Sequence, residues 1–279
     1  MKRTGLILAA VALTLTSFGL AQDQKDSTKK DAAAAAPSTP PVTPTGKHLP
    51  QAKTDAEFAA YSAAVASTTP EAAEKAADDF AAKYPTSEIK ILVYKQAMQL
   101  YQNANNIDKV IDMGHKCLAI DPDDPQVLAN TAQALTDHPN PTDADKAEAE
   151  QDAEKALQTV DTDLIVNPGT PPEKVNEYKG FLRSTAFGSL GILYYTKDTK
   201  EGYAKAEEYL RKSIDAVPSQ PDPVTMLRLA IAMDKQDKYT EALEETNKVV
   251  AMTKAGTSNG DTARREQSRL QTLTKDLIK

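Results

Sequence analysis

Chemistry in this chain would have to come from few residues. Among 279 residues there is one cysteine, Cys117, and three histidines, His48, His115 and His138. A lone cysteine forms no intramolecular disulfide and supplies no multi-cysteine zinc site. His115 and Cys117 stand two positions apart. On a helix that spacing turns them to different faces, which excludes a nucleophile–base dyad and a metal pair. The acidic run Asp121-Pro122-Asp123-Asp124 offers carboxylates to a calcium ion, but it lacks the loop length and closing Glu of a calcium hand. A turn that leads into a helix cap accounts for it. The sequence holds no glycine-rich phosphate loop, no Gly-x-Ser-x-Gly elbow and no His-Glu-x-x-His. The residue types point away from catalysis, and neither a cofactor nor a metal is expected.

Composition narrows the partners. The net charge is −7, and Lys2 and Arg3 both lie in the first few residues, so the rest of the chain is more acidic still. An acidic chain without a basic stripe lacks the electrostatic footprint of a nucleic-acid binder, and no nucleic-acid partner is expected. Hydrophobic residues make up 40% of the chain, enough for a core, but aromatics are only 5% and Trp is absent. Alanine carries much of the apolar count, and alanine is the best helix former. The acidic stretch from Asp143 to Glu154 reads as a solvated helix face.

The start of the chain reads as an address. Lys2 and Arg3 precede an apolar run from Gly5 to Leu20, which closes on Gly19-Leu20-Ala21. This is the pattern of a secretory signal peptide over 1–21, with cleavage expected after Ala21. The alternative is an uncleaved anchor, since the uncharged stretch from Thr4 to Gln22 is 19 residues long. No cysteine follows the run, which excludes lipoprotein processing. Export to the periplasm or the exterior is expected, with no membrane insertion once the leader is removed. Residues 22–52 combine Ala32 to Ala36 with Pro37, Pro40, Pro41, Pro44 and Pro50. Such a segment cannot bury enough apolar surface to fold, and it reads as a solvated tether.

From residue 53 to 279 the helical period takes over. Thr69-Pro70-Glu71 opens a helix that Tyr84-Pro85 closes. Ile91, Tyr94, Ala97, Met98 and Tyr101 form one apolar stripe, and Val110, Gly114, Cys117 and Ile120 form the next. Further pairs follow from Pro125 to Val160, from Pro172 to Pro218, and from Met226 to Val249. The first helix of the fourth pair extends back to Pro172 through Val175, Tyr178 and Phe181. A last helix, roughly Asp261 to Ile278, sets Leu270, Leu273 and Leu277 against a charged face, as suits a capping helix. Units of thirty-odd residues signal helical repeats.

These units resemble the tetratricopeptide repeat family. Phe187, Leu190, Gly191 and Tyr194 match its large-x2-Leu-Gly-x2-Tyr first helix. Asp237-Lys238-Tyr239-Thr240-Glu241-Ala242-Leu243 is similar to its turn into the second helix. The resemblance spans about 55–278 and leaves the count at four or five. It implies an all-α, right-handed α-solenoid of stacked helix-turn-helix repeats with a C-terminal capping helix. It places Ala73, Ala132, Ala206, Ala242 and Gly191 where paired helices come closest, and makes the Tyr and Met stripes core.

The resemblance further implies that the first helices line a concave groove, the usual peptide site of the family. In this register the groove-facing positions are Lys95, Gln99, Gln102, Asn130, Gln133 and Arg228. Lys95, Gln99 and Asn130 approach the clamp with which some members hold a peptide carboxylate. Thr185 and Ser189 stand where its further basic residues belong, so a generic polar peptide groove fits better. The expected function is a non-catalytic scaffold of the bacterial cell envelope that binds a protein or peptide. The alternatives are an accessory repeat subunit of an enzyme or secretion complex, and an enzyme with an unrecognised site.

Overall fold

The computed structural model describes residues 47–277, with side chains as far as Lys275. The leader reading over 1–21 and most of the tether reading over 22–52 fall outside these residues. The described residues form eleven helices: α1 (Asp55–Val65), α2 (Pro70–Lys83), α3 (Lys90–Asn103), α4 (Ile107–Leu118), α5 (Pro125–Asp137), α6 (Asp143–Thr159), α7 (Pro172–Tyr195), α8 (Lys200–Asp215), α9 (Pro223–Asp234), α10 (Tyr239–Met252) and α11 (Ser258–Leu277). They pair as five antiparallel hairpins, α1/α2 to α9/α10, with α11 closing the last. Each second helix also packs on the first helix of the next hairpin, α2 on α3 through α10 on α11. The architecture is an all-α solenoid.

Local chemistry sets the helix starts. The side chains of Thr54, Thr69, Asn106, Thr142 and Thr199 each accept a backbone N–H from the first turn that follows. Asp124 and Asp222 do the same in front of Pro125 and Pro223, whose missing N–H costs nothing in the first turn. Three of the hairpin turns hold a residue in the left-handed region: Asn105 at φ 55°, Asp198 at 50° and Asp237 at 64°. Asn and Asp tolerate this conformation better than other residues with a Cβ. The turn from α5 to α6 contains Pro139 and Pro141 instead and runs longer.

Close approach governs the packing. Ala73, Ala132, Ala206 and Ala242 are all within 1% of full burial. A Cβ built on Gly191 of α7 would lie 2.7 Å from Cγ and Cδ2 of Leu210 on α8. One built on Gly114 of α4 would lie 2.3 Å from Oγ1 of Thr131 on α5. Larger side chains fill the space between hairpins, and Tyr94, Met98 and Tyr101 are buried as expected. The tyrosine hydroxyls add something the sequence does not show. Tyr94 donates to Asp78 at 2.9 Å and Tyr101 to Glu74 at 2.6 Å, both carboxylates on the preceding hairpin. Lys116 and Lys109 of α4 reach the same two carboxylates at 2.8 and 2.9 Å. Three successive helices are tied at each point. Burial alone would raise the Glu74 carboxyl, but the bonds from Tyr101 and Lys109 hold it below the usual range.

One expectation needs correction. Residues 47–52, assigned to the solvated tether, lie against the repeats. Lys47 pairs with Asp121 at 2.7 Å and Asp163 at 3.5 Å, and His48 meets Glu88 at 3.2 Å. Composition misses this because three separate inter-hairpin loops supply the partners.

Substituting Leu for Gly191 or for Ala242 should destabilise the fold by about 1–3 kcal/mol through overpacking. Thermal and urea melts check this, and melts unchanged in both variants would contradict the register.

Candidate interaction groove

The first helices do not pack on one another uniformly. Among the described residues α5 and α7 are in close contact, whereas α3 with α5 and α7 with α9 touch little. Each loose pair leaves an opening. The first, between α3 and α5, is shallow and lined by Lys95, Met98, Gln99, Gln102, Gln126, Val127 and Asn130. Four of the six positions chosen from sequence meet here. The helical period explains it: residues 95, 99 and 102 share one face of α3, and residues 126 and 130 share one face of α5. Met98 and Val127 lie beneath it, sealed from solvent.

The polar groups in this opening differ in how committed they are. Lys95 is not a free cation, because its Nζ sits 2.6 Å from Oδ2 of Asp124. The other oxygen of Asp124 accepts the N–H groups of Gln126 and Val127, so one carboxylate caps α5 and holds Lys95. Gln99 donates to Asn103 at 3.2 Å. The carboxamides of Gln102, Gln126 and Asn130 have no partner among the described residues. Gln126 was missed in the sequence, although its place one turn before Asn130 on α5 was the signal.

The remaining two positions lie elsewhere. Gln133 is one turn beyond Asn130 on α5 and lines neither opening. Arg228 lines the second opening, between α7 and α9, with Gly191, Ile192, Tyr195, Leu210 and Ile231. This cavity is about 160 Å³ and mainly apolar. The guanidinium of Arg228 reaches Asp137, at the end of α5, at 3.9 Å. The cavity has no mark in the sequence, since Ile192, Tyr195 and Ile231 have the same residue types as the core stripes.

The clamp positions are otherwise engaged. The Thr185 hydroxyl donates to the Phe181 carbonyl and that of Ser189 to the Thr185 carbonyl, both within α7. The groups that could do covalent chemistry point apart. Cys117 is fully buried, and burial pushes its thiol up to about 12. His115 faces the other way and meets Glu148 of α6 at 2.6 Å. Among the described residues no group of three or more His, Cys, Asp or Glu is placed to hold a metal ion.

No family model matches the chain. No curated protein matches it. Among solved structures it is similar to Pseudomonas aeruginosa pilF, at 18% identity and a TM-score of 0.49, over 80% of this chain and 92% of that one. It is also similar to Acl4, an assembly chaperone of RpL4, at 14% identity and a TM-score of 0.39, over 81% and 98% of the two chains. A third is PilW, a widely conserved type IV pilus biogenesis factor, at 17% identity and a TM-score of 0.35, over 75% and 98%. Likenesses of this strength assign no family.

One buried group beside the His115–Glu148 pair carries a cost. Asp152 of α6 is 8% exposed, and its Oδ2 has no hydrogen-bond partner among the described residues. Burial first, then the charge of Glu148, pushes its carboxyl up from 3.8 to about 6, against the opposite pull of His115 and Lys155. The folded chain therefore binds this proton more tightly than the unfolded chain. Its contribution to stability falls as pH rises from 3.8 to about 6, and the penalty is complete above that window. Asp152→Asn should stabilise the fold by about 1–3 kcal/mol at about pH 7 and lose that gain at about pH 3.5. Urea melts of both proteins at each pH check this, and an equal gain at the two would contradict it.

Proposed function

We propose that the chain is a non-catalytic interaction scaffold that holds a segment of a protein partner along its first-helix face. The single observation behind this is the set of unpartnered carboxamides, Gln102, Gln126 and Asn130, gathered in the α3/α5 opening. A carboxamide donates and accepts at once, as does a peptide bond, so a row of them suits an extended backbone. The absence of any motif for a reaction centre in the sequence favours binding over catalysis.

The site of action proposed is the bacterial envelope, in the periplasm or outside the cell. The leader pattern over residues 1–21 supports it. No helix among the described residues is long and apolar enough to cross a membrane. In this reading residues 22–46 are a spacer, and Lys47, with its pairs to Asp121 and Asp163, is where the chain joins the repeats.

A photo-cross-linking residue placed at Gln102 or Asn130, in the cells that produce the protein, should give adducts of one common mass. The same residue at the exposed Asp112 or Glu208, on second helices, should give none. With the captured partner in hand, Gln102→Ala combined with Asn130→Ala should weaken binding about ten- to thirtyfold, two hydrogen bonds at about 1 kcal/mol each. Adducts confined to 112 and 208 would overturn the assignment of the face.

A further inference from the structure

We propose that the cavity between α7 and α9 is an anchoring pocket for one large apolar side chain of the partner, and that Arg228 there exchanges Asp137 for a carboxylate carried within a residue or two of that anchor. This rests on the first-helix face being the seat of a partner, and it specifies the class of segment that the face takes.

Size and lining choose the anchor. The cavity is about 160 Å³. An apolar cavity of about 150 Å³ is known to admit a benzene ring, so a Phe, Leu or Met side chain fits. Ile192, Leu210 and Ile231 give aliphatic walls and Tyr195 an aromatic one. Gly191 packs directly against Leu210, and the two together close the α7/α8 side of the space. Among the described residues Arg228 is the one charged side chain in the lining.

Charge chooses what stands beside the anchor. Among the described residues Arg228 is engaged by Asp137 alone, at 3.9 Å, the outer limit of an ion pair. Asp137 is a poor partner. Burial disfavours its charged form, Arg228 opposes this, and Asp222 adds to the disfavour. A better placed carboxylate can meet the guanidinium through two parallel hydrogen bonds, the geometry in which Arg excels. An apolar side chain next to an acidic one satisfies both features at once, and neither feature alone does.

The probes are short synthetic peptides with a Gly/Ser frame, an acetylated N-terminus and an amidated C-terminus, bearing Phe-Asp, Phe-Asn or Ala-Asp at the centre. The readout is the methyl NMR signals of Ile192 and Ile231 in the full chain. The Phe-Asp peptide should shift both signals saturably, and Phe-Asn should bind about tenfold more weakly, the worth of one charge-assisted hydrogen bond. Ala-Asp should leave the signals in place. Arg228→Gln, at a half-exposed position, should erase the difference between Phe-Asp and Phe-Asn while keeping the need for Phe. Ile231→Trp, which fills the pocket, should abolish the response at Ile192, with methyl signals elsewhere confirming the fold.

Signals unmoved by any Phe peptide would overturn the proposal. So would a Phe-Asp preference that survives Arg228→Gln. Binding that shifts only the side-chain amide signals of Gln102 and Asn130 would sink this pocket and leave the first-helix face standing.

Discussion

Everything in this molecule depends on helices approaching closely enough that only the smallest side chains fit between them. Gly191 has Leu210 against it, Gly114 has Thr131, and Ala73, Ala132, Ala206 and Ala242 are sealed from solvent. This closeness gives the large residues their role. Leu128, Leu190, Leu210 and Leu229 reach across to the neighbouring helix and are almost completely buried. A chain without Trp and with few aromatics thereby makes a series of core clusters along successive hairpins. Each hairpin relies on its neighbours, as expected for a stack of repeats.

The same packing decides which surface is left over. Each second helix is used twice, once by its own hairpin and once by the next. The tyrosine–carboxylate–lysine ties at Tyr94 and Tyr101 strengthen that seam and consume its polar groups. First helices have a free side, and where two of them part, at α3/α5 and α7/α9, they leave openings of opposite chemistry. One is rimmed with carboxamides, and the other is an apolar pocket with a single guanidinium. A partner segment that meets both would be read by backbone hydrogen bonds at one end and by side-chain identity at the other.

Much of the fold is legible in the sequence because its signals are local. Thr69-Pro70 and Asp124-Pro125 start helices, Tyr84-Pro85 ends one, and the Leu190-Gly191 pair marks a close approach. The backward extension of α7 to Pro172 follows from the spacing of Val175, Tyr178 and Phe181. The site was only half legible. The polar face of α3 and α5 follows from helical period, which brought Lys95, Gln99, Gln102 and Asn130 together. The tie between Lys95 and Asp124 spans 29 residues, and Asp124 already has a complete local role as a cap. The α7/α9 pocket could not be read at all, because a vacancy lined by Ile and Tyr has no signature that a filled core lacks. The docking of Lys47 was hidden for a related reason: its partners come from loops far apart in the chain.

The central claim is that one face of each first helix is spent on packing while the other stays open for a partner. A walk of single cysteines along α5, with maleimide labelling rates in the folded protein, tests it most directly. The native Cys117 gives no background, being buried with its thiol pushed up to about 12. Cysteines at Gln126, Asn130 and Gln133 should label readily, and those at Val127, Leu128, Thr131, Ala132 and Leu135 should stay protected. Protection at the first three positions with labelling at the others would place the open face on the wrong side of the helix and contradict the account.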